Sequence, residues 1–294
     1  MRFLALTILV LFTSTANSQI IVLSERGSRV QNQIHSAIHS GINIAIDSTY
    51  IEYSENDISE VIGSIYENGY SDKIISLSGD PINVERIASE YSDDPKLIHG
   101  GHSLSGIDNI SGVSLLINPD KILSALKSSN GSVTRVKSVI SHEYDAIHLE
   151  VIKEAALNHD IEFLFNVASG PAELAKLWQN TLENIDADTD AVLVLDTIFM
   201  DEIKGLNFIL KSAWRNKFII ATTVPAYTPR GVSIGVAPNL SNYGQSLARH
   251  AMSVDDDEIK YLQSYLPALS VKSLGHSGIY VSGMFESDEA VLIE

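Results

Sequence analysis

The sequence predicts an α/β protein built on parallel sheets. Short runs rich in isoleucine, valine and leucine alternate with longer polar segments of helical period from about residue 20 to residue 282. Such alternation is typical of parallel sheets that carry helices on both faces. The chain has 294 residues, which exceeds the ~100–200 residues usual for one domain, so we expect one large or two medium α/β units. No long linker interrupts the pattern, so two units would be joined by short strands.

The apolar segments have the length of strands, and the segments between them have helical spacing. The predicted strands are 20–23, 42–46, 73–77, 96–99, 113–117, 135–140, 161–166, 191–195, 218–222, 232–236 and 279–282. The predicted helices are 29–40, 57–68, 81–91, 120–127, 146–159, 171–184, 203–216, 242–252 and 257–265. Pro171 and Pro81 mark the first turns of two of these helices. The acidic run 255–258 precedes the last one, where carboxylates are favoured by the helix dipole.

The chain is strongly acidic. It has 37 Asp and Glu residues against 20 Lys and Arg residues, and its formal net charge is −17. A surface field of this sign repels the phosphates of nucleic acids and anionic lipid head groups. Nucleic-acid binding and direct association with membranes are therefore disfavoured.

The first residues resemble a secretory signal peptide. Arg2 precedes an apolar run of about ten residues, 3–12, and small and polar residues follow up to Ser18. A membrane-spanning helix needs ~20 apolar residues, so we expect a cleaved signal at 1–18 and no insertion of the mature chain in the membrane. The chain has no cysteine, which excludes disulfides and lipidation at a cysteine. Together these features favour a soluble protein of the bacterial periplasm.

The clearest catalytic motif is incomplete. Residues 101–105 read G-H-S-L-S, whereas the nucleophile elbow of α/β-hydrolases requires glycine at the fifth position for its strained turn. We therefore expect no catalytic residue and no enzyme activity. An exported hydrolase that uses Ser103 is the less favoured alternative.

No metal or nucleotide site is expected either. His142 and His148 lie six residues apart, whereas the zinc-protease motif requires a spacing of four. His35 and His39 have that spacing, but no carboxylate or third histidine lies near them in the sequence, so a solvated pair is the better interpretation. The sequence has no G-x-G-x-x-G or Walker A motif, so no cofactor is predicted.

Polar residues follow most of the predicted strands. In α/β sheets a ligand lies beyond the carboxyl ends of the strands, and hydroxyl groups there suit a small polar ligand. The predicted ligand-binding residues are Ser24, Ser78, His102, Ser141, His142, Asp196, Thr197 and Thr223. For each of these residues, capping of a helix is the alternative role.

Three stretches of the sequence resemble a known family. Residues 108–114 (D-N-I-S-G-V-S), 189–197 (T-D-A-V-L-V-L-D-T) and, most specifically, 231–248 (G-V-S-I-G-V-A-P-N-L-S-N-Y-G-Q-S-L-A) are similar to motifs of the substrate-binding proteins of ABC importers. That family has the type I periplasmic binding protein fold, and the resemblance is to the subgroup that includes aromatic-amino-acid binders. The segment 99–103 and the segment from residue 273 onward depart from the family pattern.

The resemblance implies two Rossmann-like lobes, hinged by short crossings, with a ligand between them. By this resemblance residues 19–118 form the first lobe, 119–224 the main part of the second, and 225–294 cross back and include a C-terminal segment. Asp196 or Thr197 would face the cleft from the second lobe, and Ser78 from the first. Ser141 and His142 would lie at the first strand end of the second lobe.

The expected function follows from the same resemblance. We expect a periplasmic protein that captures a small polar ligand, such as an amino acid, and presents it to the inner-membrane permease of an ABC importer. A periplasmic partner of a membrane signalling receptor is the alternative. The sequence does not separate these two roles.

Overall fold

The computed structural model describes residues 20–27, 29–54, 57–67, 73–77, 96–101, 111–142, 144, 146–195, 200, 204–253, 259–262, 265–281 and 290–293. The strands are β1 Ile20–Glu25, β2 Ser48–Tyr53, β3 Lys73–Leu77, β4 Lys96–Gly101, β5 Ser111–Ile117, β6 Arg135–Ser141, β7 Glu162–Ala168, β8 Asp190–Val194, β9 Ile219–Thr222, β10 Ile234–Pro238, β11 Ile259–Leu262, β12 Tyr265–Ser270 and β13 Val291–Ile293. The helices are α1 Arg29–Ala45, α2 Ile58–Glu67, α3 Asp120–Ser129, α4 Ala146–Asn158, α5 Pro171–Glu183, α6 Gly205–Asn216, α7 Leu240–Met252 and α8 Val271–His276, with a 3-10 helix at Pro225–Arg230.

The strands form two sheets. The first sheet has the order β11-β5-β4-β3-β1-β2, and all its neighbouring strands are parallel. The second sheet has the order β13-β12-β10-β9-β8-β6-β7, and β10 and β12 are its one antiparallel pair among the described strands. The predicted α/β class with two parallel-dominated sheets is confirmed.

Among the elements that the structure describes, the chain passes between the two sheets three times. It leaves the first sheet after β5 and enters α3, it returns after β10 into α7, and it leaves again after β11 to form β12. We call these passages the first, second and third crossings. We call the first sheet with α1, α2 and α7 the first lobe, and the second sheet with α3 to α6 and α8 the second lobe.

Apolar helix faces cover the sheets. Helices α1 and α7 pack against each other and, through α7, on the first sheet, and their contact is unusually close because each contributes a glycine. A Cβ atom on Gly41 would lie 2.0 Å from the carbonyl oxygen of Ser241, and one on Gly244 would lie 2.0 Å from that of Ile38. Burial of isoleucine, valine and leucine side chains on both sheets supplies the main driving force for this arrangement.

Some predicted elements are wrong. Residues 42–46 were predicted as a strand, but α1 continues through Ala45, with Ile42 buried and Ile44 exposed as the helical period requires. The strand of this region is β2, which the sequence pattern missed because an edge strand rich in polar residues lacks a continuous apolar run.

The C-terminal region also differs from the prediction. Residues 257–265 were predicted as a helix, but β11 lies there and β12 begins at its end. The acidic run 255–258, which was interpreted as capping that helix, lies outside the described residues. Residues 279–281 do not form the predicted strand, and the last described strand is β13. The segments at β11 and β12 form strands because their backbones hydrogen-bond to β5 and to β10, respectively. Within the described residues, no helix has both the length and the apolar character needed to cross a membrane.

Candidate functional site

The candidate site lies where the carboxyl ends of the strands reach the crossings. The chain leaves the first sheet at the carboxyl ends of β5 and β11, and it leaves the second sheet at the carboxyl end of β10. Because the neighbouring strands are parallel, their carboxyl ends lie at the same edges. The crossings therefore join the two edges at which ligands bind in α/β proteins.

At the edge of the first lobe, Ser24 takes part in contacts within that lobe. Its side chain is 1% exposed, and its Oγ lies 2.7 Å from Nδ1 of His35 on α1. The Tyr50 side chain on β2 also hydrogen-bonds to Ser24. Burial lowers the pKa of His35 and outweighs the opposing effect of Glu25. This network fixes α1 against the carboxyl end of β1, so Ser24 has a structural role in addition to its predicted contact with a ligand.

The same edge carries exposed charges. Nε of Arg26 lies 3.9 Å from a carboxylate oxygen of Glu52, and both side chains are largely exposed. The backbone N–H of Arg26 donates to the carbonyl oxygen of Tyr53 at 2.7 Å. Arg26 is thereby held just beyond β1, and it adds a cationic group that the predicted set did not include.

At the edge of the second lobe, three predicted residues lie at the ends of β6 and β9. Ser141 and Thr223 are buried, whereas His142 is exposed. The backbone N–H of His142 donates to the carbonyl oxygen of Ala168 at 2.9 Å, which fixes the turn after β6 against the end of β7. The structure therefore places these three residues at one edge of one sheet, and Ser24 at the corresponding edge of the other.

The sequence prediction missed Tyr144 and His148. Tyr144 follows the turn after β6, and its hydroxyl lies 2.8 Å from Nδ1 of the fully buried His148 on α4. Nε2 of His148 lies 3.0 Å from the carbonyl oxygen of Ile117, the last residue of β5. The spacing of four residues between Tyr144 and His148 would have placed them on neighbouring turns of a helix, but only the fold brings Ile117 to them.

The crossings are themselves held together by hydrogen bonds. The phenol of Tyr265, at the start of β12, donates to the carbonyl oxygen of Asn118 and accepts from the backbone N–H of Lys121 at 3.2 Å. The N–H of Asn118 donates to the carbonyl oxygen of Leu262 at 3.3 Å. The first and third crossings are thus bonded to each other through both the N–H and the carbonyl oxygen of Asn118.

Four of the predicted residues lie outside the described part of the chain. These are Ser78, His102, Asp196 and Thr197. Ser103, the serine of the incomplete hydrolase motif, lies outside it too. Their predicted roles remain predictions.

Metal binding finds no support in the residues that the structure describes, since they contain no group of three His, Asp or Glu side chains placed to hold an ion. His35 and His39 have separate partners. His35 contacts Ser24, whereas the ring of His39 lies 4.6 Å from that of Tyr50 and its Nε2 lies 3.2 Å from the side-chain amide of Asn43. Both histidines are half-buried rather than fully solvated.

The fold is shared with solute-binding proteins. The chain is similar to the ABC domain in complex with L-Trp from Streptococcus pneumonia (TM-score 0.59, 16% identity, 95% of this chain and 100% of that one). It is also similar to the ligand-free, open structure of a substrate binding protein with adhesive properties from Clostridium difficile (TM-score 0.67, 12% identity, 94% and 99%). A third similar structure is a periplasmic ribose ABC transporter from Conexibacter woesei (TM-score 0.56, 14% identity, 90% and 95%).

These likenesses establish the fold, which is the two-lobed type I periplasmic binding protein fold. No protein-family profile and no curated protein sequence matches the chain.

Proposed function

We propose that this protein is an exported solute-binding protein that captures a small polar solute between its lobes and presents it to the permease of an ABC importer. Binding would shift the lobes towards a closed arrangement that the membrane partner recognises. No chemical step is needed for this role.

One observation carries the proposal. The carboxyl edges of both sheets adjoin the same three crossings, and polar side chains lie at those edges in both lobes: Ser24 and Arg26 in the first lobe, and Ser141, His142 and Thr223 in the second. A solute held there can contact both lobes at once. Its affinity then depends on the angle between them, which is the physical requirement for binding to favour closure.

The charge of the chain favours a particular solute chemistry. With a net charge of −17, the protein repels phosphates and other polyanions at long range. A neutral, zwitterionic or cationic solute is compatible with this field, and similar proteins bind L-Trp and myo-inositol. We therefore propose amino acids as the first class to test, followed by sugars and polyols.

A thermal-shift screen of residues 19–294 tests solute binding. Amino acids, small peptides, sugars, nucleosides and organic acids would be added one at a time. A ligand at 100 times its Kd adds ~2.7 kcal/mol to the free energy of unfolding, so a true ligand raises the melting temperature clearly. The absence of a shift with every class would contradict the proposed function.

A matched pair of variants then locates the site. Thr223→Val removes a hydroxyl at the carboxyl end of β9, and Thr134→Val removes one from an exposed threonine ahead of the amino end of β6. Loss of one hydrogen bond should weaken binding about two- to tenfold for Thr223→Val only. Equal affinities for both variants would place the solute elsewhere.

The importer role has its own test. Deletion of the gene should abolish uptake of the solute that the screen identifies, and the wild-type gene should restore it. Normal uptake together with loss of a transcriptional or motility response to that solute would instead favour the signalling partner.

A further inference from the structure

The turn after β6 lies at the edge of the second lobe where we place the solute. It is connected to the first crossing through the buried His148. Tyr144 is half-buried and lies next to Ser141 and His142, and its N–H donates to the carbonyl oxygen of Ser141 at 3.0 Å. Its ring centroid lies 5.8 Å from that of His148. Tyr144 therefore occupies the edge at which we place the solute, with its hydroxyl directed to α4.

The hydrogen bonds of His148 have a defined direction. The carbonyl oxygen of Ile117 can only accept, so Nε2 of His148 carries the hydrogen and donates it. In the neutral imidazole, Nδ1 is then an acceptor, and the Tyr144 hydroxyl donates to it. Because His148 is fully buried, water does not readily replace either partner, so breaking one of these bonds is costly.

The chain of bonds ends at the first crossing. Ile117 is the last residue of β5, and Asn118 immediately after it is bonded to Leu262 and Tyr265 of the third crossing. Hydrogen bonds therefore connect Tyr144, through His148 and Ile117, to the first crossing, which is bonded to the third.

We propose that Tyr144 is a solute-contacting residue and that His148 is the positioning residue that couples it to the first crossing, so that occupation of the cleft biases the angle between the lobes. The solute contact rests on the proposed function, whereas the coupling of Tyr144 to the crossing does not. This role requires the Tyr144 hydroxyl and both nitrogen atoms of His148.

Distance measurements between spin labels test the coupling without a ligand. The chain has no cysteine, so cysteines introduced at the exposed positions Ser40 on α1 and Asn180 on α5 label one lobe each. Tyr144→Phe and His148→Leu should each broaden or shift the interlobe distance distribution of the ligand-free protein.

Tyr243→Phe is the matched control. Like Tyr144→Phe, it removes one tyrosine hydrogen bond. The Tyr243 hydroxyl donates to the backbone carbonyl of Val113 at 2.6 Å, but both of these residues belong to the first lobe. It should lower the melting temperature and leave the interlobe distances unchanged. If His148→Leu does not fold, Tyr144→Phe alone decides the question.

Affinity for the solute found in the screen provides a second readout. Tyr144→Phe and His148→Leu should each weaken binding about two- to tenfold, and the double variant should be no weaker than His148→Leu alone, because both changes break the same chain of bonds. Unchanged interlobe distances in both single variants would overturn the coupling. Altered distances in a protein that binds no solute would retain the coupling and refute the proposed function.

Discussion

The carboxylate of Asp190 lies 2.6 Å from Nε of Arg135, at the amino-terminal ends of β8 and β6. Nζ of Lys137 approaches its second oxygen at 2.6 Å, and the backbone N–H of Asp186 donates to that oxygen at 3.0 Å. The Asp190 side chain is fully buried, whereas both cations are partly exposed. This ion-pair cluster lies at the end of the second sheet opposite the candidate site, so it serves stability.

Asp190→Asn should destabilise the protein by about 1.5–3 kcal/mol, the usual value of hydrogen bonds to a charged group. Burial by itself would raise the pKa of Asp190, but hydrogen bonds from Asp186, Lys137 and Arg135 outweigh burial and lower the pKa. The stabilisation is therefore complete above the unfolded pKa of about 3.9 and is lost as the pH falls through the lower pKa of the folded state.

Urea unfolding from pH 6 to pH 2.5 measures this effect. The wild type should lose stability more steeply below pH 4 than Asp190→Asn does. Glu154→Gln, at an exposed position of α4, is the control and should follow the wild type. Parallel curves for the wild type and Asp190→Asn would contradict the assignment.

Gly244→Ala should destabilise the protein strongly because a Cβ atom at this position would lie 2.0 Å from the carbonyl oxygen of Ile38. The helices α1 and α7 would have to separate, at a cost of about 1–3 kcal/mol or more. Gly275→Ala in α8 meets no atom within 4 Å, so it should be neutral or slightly stabilising. Thermal unfolding compares the two, and equal melting temperatures would exclude tight packing of α1 on α7.

Ser24→Ala separates the two roles of this serine. The buried hydroxyl bonds to His35, so its removal should cost about 1 kcal/mol of unfolding free energy. If Ser24 also contacts the solute, affinity falls about two- to tenfold as it does for Thr223→Val. Calorimetric titration with the identified solute decides this, and unchanged affinity would leave Ser24 with the structural role alone.

Burial lowers the pKa of His99 on β4 to about 3. In the unfolded chain, His99 has an ordinary histidine pKa of about 6.5 and is protonated at a higher pH than in the folded protein. Because the proton binds the unfolded state more tightly, the folded state becomes progressively less stable as the pH falls from about 6.5 towards 3. His99→Gln should flatten this part of the stability curve, measured by urea unfolding at pH 7, 6 and 5. His142→Gln, at an exposed position, is the control, and an unaltered slope in His99→Gln would disprove the effect.

Local patterns predicted the buried parallel strands well, since β3 has the predicted bounds and β9 differs by one residue. Such strands are apolar on both faces and stand out as continuous runs. The pattern failed at β2, an edge strand of the first sheet, and in the C-terminal region. Strand β2 is half polar because it lies at an edge. Strand β11 depends on pairing with β5, more than a hundred residues earlier, and β12 on pairing with β10, about thirty residues earlier.

The polar strand ends were predicted in the same partial way, whereas contact of these residues with a solute stays a prediction. Polar residues after apolar runs predicted Ser141, His142 and Thr223 at strand ends, and the fold places them at one edge of the second sheet. No local signal predicted that His148, which bonds to Tyr144, also bonds to Ile117, because β5 and α4 lie in different lobes and about thirty residues apart.

The sequence by itself determined the α/β class, the acidic surface and most buried strands, because composition and hydrophobic periodicity act over a few residues. Only the tertiary structure decided the order of the strands, the three crossings and the bonds that join them. Those features depend on which distant segments pair to satisfy their backbone groups and bury their apolar faces, and a linear pattern does not contain that choice.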